Sequence, residues 1–134
     1  MNRVLFVCVH NAGRSVMAEA FVNRMPQESV QAISAGTVPQ QKPHPEVVET
    51  MMEVGIDVSG HEGRLLTDEM VQAADRVITM GCAVDEQACP AILYADVEDW
   101  GLPDPKGESP ERVREIREEV ARRVESLVNS LAVA

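Results

Sequence analysis

The chain has 134 residues, with 12 lysines and arginines against 22 aspartates and glutamates, a formal net charge of −10. That length fits one domain, residues 1–134, with its own core. That charge argues against a basic nucleic-acid or anionic-membrane binder, and no apolar run approaches the roughly 20 residues that span a bilayer.

The elements alternate. Val4–Cys8 reads as a buried parallel strand, and Arg14–Met25 as a helix with Val16, Met17, Ala20, Phe21 and Met25 on one face. Val30–Ser34 is a second strand, closed by Ala35-Gly36 and followed by a proline-rich loop with Pro39, Pro43 and Pro45. Pro45 opens a helix carrying Val47, Val48, Met51 and Met52 that stops near Gly55. Thr67 is a candidate N-cap for a short helix through Ala73. Arg76–Met80 is a third strand and Ile92–Tyr94 a short fourth. Pro110 begins the last helix, with Val113, Ile116, Val120, Val124, Leu127 and Leu131 at helical spacing and Glu118–Arg122 and Glu119–Arg123 as i,i+4 pairs on its wet face. Strand–helix alternation predicts a doubly wound, flavodoxin-like α/β three-layer sandwich around a four-stranded parallel sheet.

Chemistry concentrates after the first strand, in Cys8-Val9-His10-Asn11-Ala12-Gly13-Arg14-Ser15. The strand delivers a thiol at its carboxyl end, where open α/β sheets bind ligands. The free N–H groups of the loop and the positive end of the following helix favour an anion. The same field favours thiolate over thiol, since cysteines so placed fall from a pKa of about 8.5 into the range of roughly 3.5–7.5. Arg14 offers a planar fork for two oxyanion oxygens. Ser15 can hold the thiolate by a hydrogen bond, Asn11 can brace the loop, and both Asn11 and Gly13 tolerate positive φ. The loop is not the nucleotide-binding glycine-rich motif, which requires a lysine. His10 lies in the loop; His44 and His61 receive no role.

Two further clusters follow. Cys82 and Cys89 lie in Gly81-Cys82-Ala83-Val84-Asp85-Glu86-Gln87-Ala88-Cys89-Pro90, with Cys82 on the same rim as Cys8. Seven residues of helix rise about 10.5 Å, whereas disulfide-bonded Cα atoms lie roughly 4.4–6.8 Å apart, so a helix there must unwind before these two thiols can bond. Residues 99–107, Asp99-Trp100-Gly101-Leu102-Pro103-Asp104-Pro105-Lys106-Gly107, read as a rigid loop. Asp104 could be a general acid or only a turn residue. The odd number of cysteines and their wide spacing fit neither a disulfide framework nor close-set zinc ligands. With no signal-peptide pattern behind Met1-Asn2-Arg3, a cytoplasmic protein with reduced thiols is expected.

With these clusters in view, the chain resembles the arsenate reductases built on the low-molecular-weight protein tyrosine phosphatase fold. The loop from Cys8 to Ser15 and Asp104-Pro105 are phosphatase-like; Met80-Gly81-Cys82, Cys89-Pro90 and Asp99-Trp100-Gly101 are reductase-like. The resemblance implies Cys8 as nucleophile, Arg14 as oxyanion clamp, Asp104 as general acid, Cys82 and Cys89 as a disulfide relay, and Asn11 and Ser15 as loop supports. Arsenate is the implied substrate, with phosphate or sulfate as analogues, and a thioredoxin-like or glutaredoxin-like protein the electron donor. No bound cofactor is expected, and a monomer is. Lys106-Gly107 stands where the phosphatases commonly carry tyrosines, which weakens a protein-tyrosine reading. Some of these reductases bind potassium through positions that look like Asn11, Glu19 and Ser34; Arg64 aligns with a further carboxylate there, a guanidinium could stand in for the cation, and no metal is expected. The alternatives are a low-molecular-weight phosphatase and a non-enzymatic thiol sensor or arsenic-binding protein.

Overall fold

The computed structural model describes residues 2–81 and 98–132. Four parallel strands, β1 (Asn2–Cys8), β2 (Val30–Gly36), β3 (Arg76–Thr79) and β4 (Glu98–Asp99), form one sheet in the order β2-β1-β3-β4. Four helices accompany them among the described residues: α1 (Arg14–Arg24), α2 (Pro45–Met52), α3 (Asp68–Ala73) and α4 (Pro110–Ala132).

β1 is central because its run Val4-Leu5-Phe6-Val7 is apolar on both faces, as a strand covered on both sides must be. Alternation divides it. Val4, Phe6 and Cys8 enter the larger core with Val16, Met17 and Val22 of α1 and Ile116, Val120 and Val124 of α4. Leu5 and Val7 face a smaller core with Ala35, Val71 and Val77, to which α3 contributes. This is the expected doubly wound three-layer arrangement. The chain steps from β1 outward to β2, then back past β1 to β3. That reversal leaves a crevice at the carboxyl end of β1, where Cys8 stands opposite Gly36.

Local signals explain the elements. Pro45 occupies the first turn of α2. Thr67 caps α3, its hydroxyl oxygen accepting from Met70 N at 3.2 Å. In α4 the expected stripe is buried from Val113 to Leu127.

Some expectations are corrected. The core stripe of α1 is Val16, Met17, Ala18 and Val22, while Ala20, Phe21 and Met25 are only partly buried around its margin. Packing against both the sheet and α4 rotates the helix from the face that spacing alone selects. Asp99, expected in a loop, ends β4, with Thr79 opposite it. Ile92–Tyr94, expected as a strand, lies outside the described residues. Glu119–Arg123 forms at 3.2 Å, but Arg122 turns to Glu119 at 2.6 Å and Glu118 to Arg117 at 2.9 Å, so Glu118–Arg122 is not made.

After β4 the backbone continues beside β3: Trp100 N donates to Thr79 O at 2.9 Å and Leu102 N to Met80 O at 2.7 Å. The Trp100 ring packs on Phe6 with centroids 5.6 Å apart, a contact worth about 0.5–1.5 kcal/mol beyond buried area. These anchors carry Asp104 and Pro105 toward the end of β1.

Candidate active site

The loop from Cys8 to Gly13 is shaped by where its carbonyls go. Thr37 N donates to Cys8 O at 3.3 Å, Val38 N to Val9 O at 2.8 Å, Gln40 N to His10 O at 2.9 Å and His44 N to Ala12 O at 2.8 Å. Because a trans peptide sets its N–H opposite its C=O, binding the carbonyls outward turns the following N–H groups, of Val9, His10, Asn11 and Gly13, the other way. The proline-rich segment is therefore the outer wall of an anion loop. Gly36 permits this closeness, since a Cβ there would sit 2.6 Å from Val9 O and 2.8 Å from Asn11 N.

Asn11 adopts φ 48°, as expected, and is fully buried. Gly13 does not use positive φ: it is the N-cap of α1 at φ −140°. Its small size serves packing instead, since a Cβ would meet Pro105 Cγ at 3.1 Å and His44 Cδ2 at 3.3 Å. Gly13 O accepts from Met17 N at 3.0 Å, which starts the helix.

Asn11 is the hub. Its Nδ2 donates to Ser15 Oγ and to Ser34 Oγ, both at 2.9 Å. Its Oδ1 accepts from Arg64 N at 3.0 Å and stands 3.0 Å from His61 Nε2. All four capacities of the amide are used, which fixes its orientation. Cys8 Sγ lies 2.8 Å from Ser15 Oγ. Since the Ser15 oxygen already accepts from Asn11, its hydrogen is free to point at a Cys8 thiolate. Ser34 Oγ in turn donates to Glu19 Oε1 at 3.2 Å, and Arg64 Nη1 to the same oxygen at 3.1 Å. One connected network thus links Arg64 and Glu19 through Ser34, Asn11 and Ser15 to the sulfur, with Asn11 donating toward both ends.

Arg64 Nη1 is also 3.5 Å from Ser34 O. Of the groups that resemble a potassium site, Glu19 and Ser34 O are therefore engaged by the guanidinium and Asn11 Oδ1 by Arg64 N and His61, and the site does not fit a metal ion. His61 stands 3.7 Å from Glu19, and burial holds its imidazole below the ordinary value against the opposing pull of that carboxylate. Its Nε2 is the nitrogen that faces the Asn11 oxygen.

At the mouth, His10 Nδ1 lies 3.1 Å from Val38 O, and its ring meets the buried His44 ring edge-on with centroids 6.1 Å apart. Burial lowers the His44 pKa, opposed first by Asp104 and then by Glu46. Asp104 is exposed and its Oδ1 accepts from Lys106 N at 3.0 Å, a local turn. Arg14 is buried, with Nη1 donating to Leu102 O at 2.8 Å.

The structure thus gathers Cys8, Val9, His10, Asn11, Ala12, Gly13, Arg14 and Ser15, and brings Pro105 against Gly13. Cys82 and Cys89 lie outside the described residues. The profile of the low molecular weight phosphotyrosine protein phosphatases matches residues 3–134. The chain belongs to that family. Within it, a protein of Halobacterium salinarum provisionally named an arsenate reductase is 42% identical over 127 residues, covering 91% of this chain and 87% of its own. The glutaredoxin arsenate reductase of Synechocystis is 35% identical over 134 residues, covering 98% of this chain and 100% of its own. The solved thioredoxin-dependent arsenate reductase of Corynebacterium glutamicum is 37% identical with a TM-score of 0.76, covering 99% of this chain and 63% of that one.

Sequence reasoning gave no role to His61, His44, Leu102 or Gly36. Three act through position in a loop or through a backbone atom, which no residue spacing marks. The only trace was the run Ser34-Ala35-Gly36 at the end of a strand.

Proposed function

We propose that this family member is an arsenate reductase. The observation that carries it is Cys8 Sγ held 2.8 Å from Ser15 Oγ, at the end of β1 and the start of a loop in which the carbonyls of Cys8, Val9, His10 and Ala12 are drawn outward, in a chain that also carries Cys82 and Cys89. The names of the relatives point the same way.

The reaction balances as follows. The Cys8 thiolate attacks the pentavalent arsenic of arsenate, forming S–As, and one oxygen leaves as water with a proton from Asp104. Loop N–H groups and Arg14 hold the remaining oxygens. The Cys82 thiolate then attacks Cys8 Sγ. The S–S bond forms, the S–As bond breaks, and its electron pair stays on arsenic, which departs trivalent as arsenite. Cys89 attacks Cys82 Sγ, Cys8 leaves as thiolate, and the Cys82–Cys89 disulfide is reduced by an external dithiol protein. That donor is thioredoxin-like in our reading; a glutaredoxin-coupled system is the other outcome of the test. In our reading the protein is a cytoplasmic monomer acting on a dissolved anion; no helix among the described residues is long and apolar enough to cross a membrane.

Arsenate-dependent NADPH oxidation is the test, with a thioredoxin system and a glutathione–glutaredoxin system in parallel. The thioredoxin arm should be active, and Cys89→Ser should stop after one turnover with Cys8 and Cys82 joined. No oxidation with either donor, together with phosphate-ester hydrolysis that survives Cys82→Ser, would instead establish a phosphatase.

A further inference from the structure

We infer that Gly81 is a positioning residue for the oxyanion clamp: the absence of a side chain there creates the seat of the Arg14 guanidinium. This deepens the proposed function and rests on Arg14 as the clamp.

Three contacts define the seat. Arg14 Nη1 donates to Leu102 O at 2.8 Å. Leu102 is itself fixed, because its N–H donates to Met80 O at 2.7 Å and its side chain is buried. Met80 N donates to Val7 O at 2.8 Å, so residues 80–81 continue the line of β3 past the end of the strand, alongside β1. Gly81 forms the facing wall. A Cβ on Gly81 would overlap Arg14 Nη1, would lie 3.2 Å from Arg14 Cζ, and would lie 3.0 Å from Leu102 O.

Gly81 does not have the left-handed φ that demands glycine. An alanine is therefore allowed by the backbone, and what it would strike is mainly the end of one side chain. That side chain is buried, at 6% exposure, so its guanidinium has little room to retreat while keeping Leu102 O. Holding Nη1 on Leu102 leaves the Nε–Nη2 edge of the fork for two oxyanion oxygens. Gly81→Ala would thus leave the fold largely in place and displace the clamp.

The experiment uses inorganic phosphate as probe, read by protection of Cys8 from iodoacetamide with the modified peptide mapped, and pairs it with thermal unfolding. The variants are Gly81→Ala, Arg14→Ala and the double change. Phosphate protection of Gly81→Ala should need about ten-fold more phosphate or worse, as expected for a lost charge-assisted hydrogen bond. Any Tm penalty of Gly81→Ala should shrink or vanish in the Arg14→Ala background, because the obstructing group is gone. If Gly81→Ala does not fold, a folded double variant supports the inference and an unfolded one overturns it. Wild-type protection in Gly81→Ala overturns it, as does an equal Tm penalty in both backgrounds. Failure of phosphate to protect the wild type would be a different result, removing the oxyanion reading of the loop itself.

Discussion

Asn11 Nδ2 lies 2.9 Å from Ser15 Oγ, and this one contact sets the polarity of the nucleophile's hydrogen bond. An amide N–H can only donate, so the Ser15 oxygen accepts and its own hydrogen is available to Cys8 Sγ, 2.8 Å away. Ser15→Ala should therefore slow Cys8 alkylation at neutral pH, while circular dichroism stays native. An unchanged rate would show that Ser15 does not stabilise the thiolate.

Asn11 is also where the sequence was partly readable. Its tolerance of positive φ and its bracing role follow from residue type, and the loop from Cys8 to Ser15 follows from a strand, a thiol and a helix start in sequence. Glu19, Ser34 and the guanidinium of Arg64 were legible only through the family resemblance, and His61 was not legible at all. His61 and Arg64 lie about 50 residues away in a loop without periodicity, and they reach Asn11 only because β2 pairs beside β1 and its continuation carries the chain back across the end of the sheet. The first three strands and most helix bounds were legible because apolar runs, Pro45 and Thr67 act locally, whereas β4, two exposed acidic residues, carries no apolar run to mark it. The rotated face of α1 was not, since it depends on what α4 offers.

Asn11→Ala would remove a group that satisfies four partners, two of them buried serine hydroxyls. Leaving buried polar groups unpaired costs about 1–3 kcal/mol each, and the left-handed φ adds about 1–2 kcal/mol for alanine. Urea unfolding should show a loss of at least about 2 kcal/mol, and Cys8 alkylation should slow as in Ser15→Ala. A loss under about 0.5 kcal/mol would mean that the network relaxes at little cost.

Arg64 is half exposed, so its ion pair with Glu19 contributes little stability on its own. Its effect should appear in reactivity. Arg64→Ala frees the Glu19 carboxylate to pull on Ser34 without opposition, loosening Asn11, and Cys8 alkylation should fall several-fold with only a small change in Tm. Exchanging potassium for sodium at constant ionic strength should leave the wild-type rate unchanged, because the guanidinium already engages Glu19 and Ser34 O. A potassium-specific stimulation of the wild type would contradict this arrangement.

Away from the site, Glu53 at the end of α2 takes Arg114 of α4 at 2.8 Å and Arg117 at 2.9 Å. Hydrogen bonds first from Arg114 and then from Arg117 hold its carboxyl down to about 2 from 4.5. A folded-state pKa below the unfolded one stabilises above the unfolded value, and that contribution is lost as pH falls through the folded one. The stability difference between wild type and Glu53→Gln should be full at pH 7, shrink below pH 4.5 and be small at pH 2. A difference independent of pH across that window would assign the effect of Glu53 to packing.

Asp104 carries two roles that one substitution separates. Its Oδ1 accepts from Lys106 N at 3.0 Å, and that acceptor shapes the turn that sets Pro105 against Gly13. The proposed acid role needs a proton that only a carboxyl can give. Asp104→Asn keeps an acceptor oxygen and loses the acid, whereas Asp104→Ala loses both. The first chemical step, followed in a single turnover as loss of free Cys8, should slow by about 10²–10⁴-fold in Asp104→Asn. Phosphate protection of Cys8 should hold or improve, because a negative charge has left the mouth of an anion site. Asp104→Ala should slow chemistry at least as much and also weaken protection, as the turn relaxes. If Asp104→Asn turns over at the wild-type rate while Asp104→Ala does not, Asp104 shapes the loop and the leaving oxygen takes its proton from elsewhere. The buried His44, which lies against Gly13 and within the field of Asp104, would be the next group to replace.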